Sequence, residues 1–190
     1  MYDFNTIVCD LKNSLSQKRF DHTLGVVKTA EKMAKFYAVD ADKARIAALL
    51  HDCSRYMELP EMTKTALRSQ FEDKYSTETV GMELLHAPAS EVIAREKYGI
   101  RDRDILSAIR WHTTGVPHMD ELACIVYSAD MVEPTRTYDG VEQLRKLSFE
   151  GLHLLSLKCC EHTIEYLRLQ NKHVHSSTID FYLYLQGELN

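Results

Sequence analysis

Hydrophobic and polar positions follow the period of the α-helix along most of this chain. Apolar residues recur three or four positions apart, and we find no convincing stretch of the strict alternation that is typical of a half-buried strand. The pattern predicts helices over about 4–15, 19–37, 40–52, 60–71, 89–98, 103–113, 120–132, 149–171 and 177–187. The predicted fold class is therefore all-α.

Residues at the ends of these segments support the same interpretation. Asp40 and Asp102 are suited to cap helix N-termini, Pro60 is suited to a first turn, and Gly99 is suited to a helix stop. The acidic segment over 72–84 is predicted as a solvated loop. Only seven Gly and four Pro occur in 190 residues, and no linker is visible, so we expect a single domain over 1–190.

Charge and cysteine content limit the classes of partner and the compartment. The formal net charge of −5 argues against nucleic acid or an anionic membrane surface as a partner. No run approaches the roughly 18 apolar residues of a membrane span. The five Cys form no C-x-x-C pair, which favours reduced thiols and a cytoplasmic protein.

Histidine and aspartate residues recur where the predicted helices begin or end. His22 lies near the start of one helix, His51 and Asp52 end another, and Asp130 lies near the end of a third. Side chains of these types could converge on one cation if the helices pack as a bundle. Imidazole and carboxylate groups without thiolate suit iron, manganese or zinc better than magnesium.

Two further histidines follow the same logic. His86 precedes Pro88 at a predicted helix start, and His112 ends the predicted helix over 103–113. Asp52 is the natural candidate to bridge two ions, because one carboxylate has two oxygens. We predict Asp52, His86 and His112 as the catalytic residues.

Cationic and hydroxyl side chains beside these residues suit a polyanionic substrate. Arg19 lies one helical turn before His22, Arg55 follows Asp52, and Arg136 follows the Asp130 helix. We predict Arg55 and Arg136 as phosphate contacts, because a guanidinium fork matches phosphate geometry. Thr113 offers a hydroxyl to a phosphate oxygen.

Six segments surround these residues in order between about residues 19 and 185. They read "RFDHTLGVVKTAEKMA", "ARIAALLHDCSRY", "ELLHAPASEVIAREKYGI", "ILSAIRWHTTG", "IVYSADMVEPTRTYDGVEQLR" and "VHSSTIDFYLYL". Together they resemble the HD-domain metallophosphohydrolases and, within them, the YqeK group of bacterial symmetrical bis(5′-nucleosyl)-tetraphosphatases.

The resemblance implies an all-helical HD-domain bundle that binds iron, as one or two ions, and cleaves diadenosine tetraphosphate into two ADP. It implies a metal-site core at about 19–135, followed by C-terminal helices at about 149–187, and it leaves a homodimer open. His22, His51, Asp52 and Asp130 match the metal ligands. His86 and His112 match positions that hold a second metal or touch phosphate. His175 matches a segment near the nucleotide and is a weaker substrate-binding candidate.

The chain departs from the family pattern at a few positions. Ser54 and Arg55 stand where the family usually has Ala and Lys, and Thr135 stands where Gly is usual before Arg136. Asp139 stands where Pro usually precedes the following Gly. No candidate ligand is lost.

Two other functions remain open from the sequence. The ligand set is shared by HD phosphohydrolases that act on nucleoside monophosphates, cyclic dinucleotides or guanosine tetraphosphate. A non-catalytic helical HD module is a third hypothesis, which the complete ligand set disfavours. We expect the other histidines, His162 among them, to lie on surfaces or in loops, and Cys53 to pack rather than to bind metal.

Overall fold

The computed structural model describes residues 3–71 and 82–189, and every regular element in these ranges is a helix. Its ten helices are α1 (Phe4–Ser14), α2 (Gln17–Phe36), α3 (Ala41–Leu50), α4 (Leu59–Ala66), α5 (Met82–Glu96), α6 (Arg103–Trp111), α7 (Glu121–Val132), α8 (Val141–Leu147), α9 (Leu152–Leu169) and α10 (Ser176–Leu189). The predicted all-α class is confirmed.

Aspartate side chains begin three of the helices that carry the site. Asp40 Oδ1 accepts hydrogen bonds from the backbone N–H groups of Asp42 and Lys43, at 2.9 and 3.0 Å. Asp102 caps α6 in the same way, and Asp120 Oδ1 accepts from Ala123 N at 2.7 Å. Each carboxylate satisfies backbone donors that a helix N-terminus leaves without a partner.

The structure differs from the predicted local structure in several places. Helix α5 begins at Met82 rather than near residue 89, so Pro88 lies inside the helix and His86 lies in its second turn. Proline favours the first turn of a helix, so the sequence pattern predicts a start beside Pro88. Instead, contacts with the turn after α3 hold α5 in place: Ser54 Oγ donates to His86 O at 2.8 Å. Helix α8 was not predicted, because its seven residues are too few to show a helical period.

Residues 72–81 of the loop predicted over 72–84 lie outside the described residues. From Met82 onward the segment is part of α5, where a loop was expected. Helix α4 also ends earlier than expected, at Ala66 rather than residue 71.

Helix α7 lies at the centre of the molecule. Its residues from Leu122 to Ala129 are all buried. It packs against α2, α3, α6, α8 and α9, and α10 packs against α9. Burial on every side explains why α7 carries an almost continuous apolar sequence.

Organisation as one domain over 1–190 stays a prediction. Helix α9, in the predicted C-terminal part, packs against α7 in the predicted metal-site core, which buries Leu155 and Cys159 completely. Among the described helices, none is both long and apolar enough to cross a membrane.

Candidate metal centre

Four helices end or begin around one buried cluster of imidazole and carboxylate groups. His51 and His112 are the C-cap residues of α3 and α6, which pack against each other. His22 lies in the second turn of α2, and Asp130 lies in the last turn of α7. The convergence follows from the packing of α2, α3 and α6 around α7.

One group within the cluster consists of His22, His51 and Asp130. Each offers one ligand atom, and these atoms all lie within 4.8 Å of one another. Asp130 Oδ1 lies 3.0 Å from His22 Nε2 and 3.9 Å from His51 Nε2. Two imidazoles and a carboxylate at this spacing could hold a transition metal ion.

A second group consists of His51, Asp52 and His112, whose ligand atoms also lie within 4.8 Å of one another. His86 adjoins it, because His86 Nε2 lies 3.2 Å from Asp52 Oδ1 and 3.0 Å from His112 Nε2. The structure therefore brings all six predicted ligand-type residues into one site.

The carboxylate of Asp52 stands between the two groups. Its Oδ2 lies 3.6 Å from His51 Nε2 and 4.0 Å from His22 Nε2. Its Oδ1 lies 3.2 Å from His86 Nε2 and 3.7 Å from His112 Nε2. The two oxygens of one buried side chain thus face different sets of imidazoles.

Backbone carbonyls orient two of the imidazole rings toward the cluster. His51 Nδ1 lies 2.7 Å from Ala48 O, and His112 Nδ1 lies 2.8 Å from Ile109 O. A carbonyl oxygen only accepts, so each Nδ1 carries the proton and each Nε2 presents a lone pair. Among the residues that the structure describes, neither the buried His51 Nε2 nor His22 Nε2 has a hydrogen-bond partner. Unpartnered buried ring nitrogens beside carboxylates fit a metal ion, which would satisfy them.

Burial and charge shift the pKa values of the cluster in a consistent way. Burial lowers the pKa of His51 to about 4 and holds the pKa of His86 well below its usual range. Burial alone would raise the pKa of Asp52, but the neighbouring His51, His112, His86 and Arg55 outweigh it and hold this pKa well below its usual range. Neutral imidazoles beside an ionised carboxylate are the protonation states that a metal ion requires.

His22 differs from His51 and His86. Burial lowers its pKa, yet the adjacent carboxylates of Asp130 and Glu133 outweigh burial, so the net shift is upward. Its Nδ1 lies 3.0 Å from Glu133 Oε1.

Three arginines contact the two carboxylates of the cluster. Arg19 Nη1 lies 2.7 Å from Asp52 Oδ2, and Arg55 Nε lies 3.1 Å from Asp52 Oδ1. Arg136 Nη2 donates to Asp130 Oδ1, and Arg136 Nε donates to the backbone carbonyl of Asp130. All three side chains are partly exposed, so the cluster opens toward solvent through a cationic rim.

Thr113 and His175, both predicted to bind substrate, also lie near the cluster. Thr113 Oγ1 lies 3.0 Å from the Nε2 atoms of both His86 and His112. His175 is buried and lines a cavity of about 720 Å³ together with Thr113 and Arg136. The remaining lining residues are Glu83, Leu84, Met131, Tyr138, His162, Thr163, Tyr166, Leu167, Lys172, His173 and Thr178.

A smaller and more polar cavity lies on the other side of Arg136. Its volume is about 420 Å³. It is lined by Ser16, Lys18, Arg19, His22, Glu133, Thr135, Arg136, Thr137 and Tyr138. Arg136 and Tyr138 border both cavities, so the cluster has a largely apolar space on one side and a cationic one on the other.

Some residues of the site were not predicted from the sequence. The sequence pattern assigns no role to Glu133, Lys18 or Arg19. A signal existed for Arg19 and Glu133, since each lies three residues from a predicted ligand and so shares or adjoins its helical face. His162 was expected on a surface or in a loop. Its ring packs against Tyr138, with centroids 4.5 Å apart, and only the tertiary structure brings them together.

A comparison with protein families matches residues 19–135 to the HD domain. The matched range includes all six ligand-type residues, together with Arg19, Arg55 and Glu133.

The similar proteins match this chain over nearly its whole length. The symmetrical bis(5′-nucleosyl)-tetraphosphatase of Halalkalibacterium halodurans is 37% identical, over 90% of this chain and 91% of that protein. The protein of the same name from Bacillus subtilis is 34% identical, over 92% and 93%. A crystal structure from Clostridium acetobutylicum, titled a predicted HD superfamily hydrolase involved in NAD metabolism, superposes with a TM-score of 0.87. It is 34% identical and covers 99% of both chains.

Proposed function

This chain belongs to the symmetrical bis(5′-nucleosyl)-tetraphosphatases of the HD-domain family, and we propose that it hydrolyses diadenosine tetraphosphate to two ADP molecules at the cluster described above. Water attacks one of the two central phosphorus atoms. The bond from that phosphorus to the central bridging oxygen breaks, and the two halves leave as ADP.

The observation that carries the proposal is the position of Asp52. Its two oxygens face different sets of imidazoles, with His22 and His51 beside Oδ2 and His86 and His112 beside Oδ1. A carboxylate in this position suits a site for two metal ions, which is an arrangement used for in-line displacement at phosphorus.

His22, His51, Asp52 and Asp130 would hold a metal ion, and His112 would bind a second ion held through Asp52. HD-domain hydrolases bind divalent metals, and the donor set of imidazoles and carboxylates fits iron, with manganese or zinc as substitutes. A metal bound here supplies Lewis acidity toward phosphate oxygens and makes water a stronger nucleophile at neutral pH. Iron, as one or two ions, is our proposal for the native metal.

The arginines and Thr113 bind the phosphate chain. A guanidinium has five N–H donors, and the contacts with Asp52 engage Nη1 of Arg19 and Nε of Arg55. Donors on the exposed side of Arg19, Arg55 and Arg136 can therefore pair with phosphate oxygens. Thr113 Oγ1, between His86 and His112, offers a hydroxyl donor at the same place.

His86 accepts the proton of the attacking water. Arg55 Nη2 donates to His86 Nε2 at 3.2 Å, which indicates a lone pair on that nitrogen. Burial lowers the pKa of this ring, so it is neutral when the reaction begins. Asp52 and His112 lie beside it and keep it oriented.

The two cavities would receive the two halves of the substrate. The cavity of about 720 Å³ is bordered by Tyr138, His162 and Tyr166, whose rings suit contact with a purine. The cavity of about 420 Å³ has Lys18, Arg19 and Arg136 in its walls, which suits the phosphates of the other half. His175 lies in the first cavity and would contact the nucleotide there.

Product analysis tests the reaction directly. Purified protein loaded with Fe²⁺ or Mn²⁺ should convert diadenosine tetraphosphate to ADP alone, as measured by ion-exchange chromatography. The variant Asp52→Ala should lose at least about a hundredfold in turnover, because removing a charged ligand costs several kcal/mol at the reacting centre. Its bound metal should fall as well. Asp42→Ala, which alters an exposed aspartate on α3, the helix that precedes Asp52, serves as the control.

Other results would contradict the proposal. AMP and ATP as the main products would show that cleavage is not symmetric. Faster turnover of a nucleoside monophosphate, a cyclic dinucleotide or guanosine tetraphosphate in the same assay would assign a different substrate. Full activity in Asp52→Ala would place the metal site elsewhere.

We further propose that the chain acts in the cytoplasm. Its five cysteines are all free, and Cys159 and Cys160 are buried next to each other in α9 without pairing. Free thiols suit a reducing compartment. The net charge of −5 favours neither nucleic acid nor an anionic membrane as a partner. A homodimer stays an untested prediction.

A further inference from the structure

We propose that Glu133 is the positioning residue for His22, and that Gly25 lacks a side chain because the carboxylate of Glu133 occupies that space. The inference rests on the proposed function only in taking His22 as a metal ligand. It concerns how the ring is held, and it can be measured without substrate.

Glu133 ends helix α7, three residues after Asp130, and its side chain is completely buried. Its Oε1 lies 3.0 Å from His22 Nδ1. An ionised carboxylate only accepts hydrogen bonds, so the contact with Glu133 requires a proton on Nδ1. Nε2, beside Asp130, is then the nitrogen that can bind a metal ion. A carboxylate on the far nitrogen of a ligand histidine fixes both the tautomer and the orientation of the ring.

The carboxylate of Glu133 is itself held in place by Thr135. The backbone N–H of Thr135 donates to Oε2 at 2.7 Å, and its hydroxyl donates to Oε1 at 2.5 Å. In the family that the sequence resembles, this position is usually Gly. The Thr135 hydroxyl therefore gives this chain a hydrogen bond to Glu133 that a glycine at this position could not make.

Gly25 lies on α2 three residues after His22, on the side that faces Glu133. A Cβ at this position would lie 2.3 Å from Glu133 Oε2 and 3.2 Å from its carboxyl carbon. A glycine in a helix interior makes the helix less stable than an alanine would, so a glycine at this position needs a structural explanation. The reason is the space that it leaves for a buried carboxylate against α2.

Two measurements test the proposal in metal-free protein prepared with a chelator. Imidazole ¹⁵N shifts at pH 8.5 report which nitrogen of His22 is protonated, and calorimetric titration with Mn²⁺ reports metal affinity. Wild-type protein should show His22 protonated on Nδ1. In Glu133→Ala this tautomer preference should be lost, and the Mn²⁺ affinity should fall about 10- to 100-fold.

Glycine variants separate the positioning role from general packing. Gly25→Ala should weaken Mn²⁺ binding by displacing Glu133. The matched control is Gly187→Ala on α10, where a Cβ would meet none of the described residues within 4 Å, and it should leave binding unchanged. Gly25→Ala combined with Glu133→Ala should bind no worse than Glu133→Ala alone, because both changes remove one and the same contact.

Two conservative variants complete the set. Glu133→Gln can still accept from Nδ1–H through its amide oxygen, so it should keep the tautomer and retain more affinity than Glu133→Ala. Thr135→Gly should weaken Mn²⁺ binding less than Glu133→Ala does, because the Thr135 backbone donor remains.

The proposal is overturned if Nδ1 of His22 carries no proton in wild-type protein, or if Glu133→Ala binds Mn²⁺ as tightly as wild type. Additive losses in the double variant would also overturn it, since they would make the roles of Gly25 and Glu133 independent. If Gly25→Ala does not fold, the Glu133→Ala and Glu133→Gln results still decide the outcome. Failure of the proposed reaction would appear in the product assay and leave these binding and tautomer results intact.

Discussion

His51, Asp52 and Cys53 are consecutive residues, yet each side chain meets a different environment. The rings of His22 and His112 stand against His51, arginines contact both oxygens of Asp52, and Cys53 points away toward Ser90 O. Burial raises the pKa of the Cys53 thiol to about 12. A thiol that stays protonated is a poor metal ligand, so Cys53 does not share the metal-binding role of Asp52.

Thiol reactivity tests this assignment at the residue scale. Cys9 is exposed, while Cys53, Cys124, Cys159 and Cys160 are buried. Native protein should therefore titrate one fast thiol per chain with Ellman's reagent, and five after denaturation. The variant Cys9→Ser should titrate none in the native state. Fast reaction of a second thiol in that variant would show that a buried cysteine is accessible.

At the scale of elements, the turn after α6 is held by α10. This turn carries His112 and Thr113 and ends at Gly115, whose φ is +65°. Ser177 Oγ donates to Gly115 O at 2.6 Å, and a Cβ on Gly115 would lie 2.1 Å from the ring of Phe181. The last helix of the chain therefore fixes a turn of the site more than 60 residues before it.

Two alanine substitutions should separate backbone strain from close packing. Gly99 also has positive φ, +70°, but a Cβ there would meet nothing within 4 Å. Gly99→Ala should cost about 1 kcal/mol of unfolding free energy from the left-handed conformation alone. Gly115→Ala should cost about 3 kcal/mol, because overpacking against Phe181 is added. Urea unfolding measures both values, and equal losses would contradict the packing contribution.

A different contact joins α5 to the turn after α3. Ser54 Oγ donates to His86 O at 2.8 Å, and Ser90 Oγ accepts from Ser54 N at 3.1 Å. Ser54 stands where the resembled family usually has Ala. The hydroxyl thus ties the backbone of His86 to the turn that carries Asp52, and so fixes the spacing between these two side chains.

At the scale of the whole molecule, charge is distributed unevenly. The chain has a net charge of −5, but Lys18, Arg19, Arg55 and Arg136 gather around the cluster. A polyanionic substrate therefore meets a local cationic rim on an acidic protein. Electrostatic attraction at that rim does not require a basic protein as a whole.

Metal removal should be visible in global stability. A ligand at a concentration about a thousand times its Kd adds about 4 kcal/mol to the free energy of unfolding. For a protein of this size, such a gain raises Tm by roughly 10 °C. Differential scanning calorimetry with Mn²⁺ and with a chelator measures the difference. Asp52→Ala should show a much smaller shift, and an equal shift in that variant would place the stabilising metal at another site.

Much of the fold was predictable because it depends on local periodicity. Apolar spacing and aspartate caps gave the positions of most helices, and nine of the ten described helices were expected. The exceptions have local causes. Pro88 misplaced the start of α5, and α8 is too short for its period to be recognised. Packing against neighbouring helices decided where α5 begins and that α8 forms. A local sequence pattern carries no information about such packing.

By itself, the sequence determined the order of the ligand-type residues and the place of His51, His112 and Asp130 at helix ends, because these boundaries and side-chain chemistry are local properties. The tertiary structure alone decided that the two oxygens of Asp52 face different imidazoles and that cavities lie on both sides of Arg136. It also decided that Glu133 holds His22, a residue 111 positions away. Such contacts arise where separate helices pack together, and the hydrophobic period of a single helix carries no information about them.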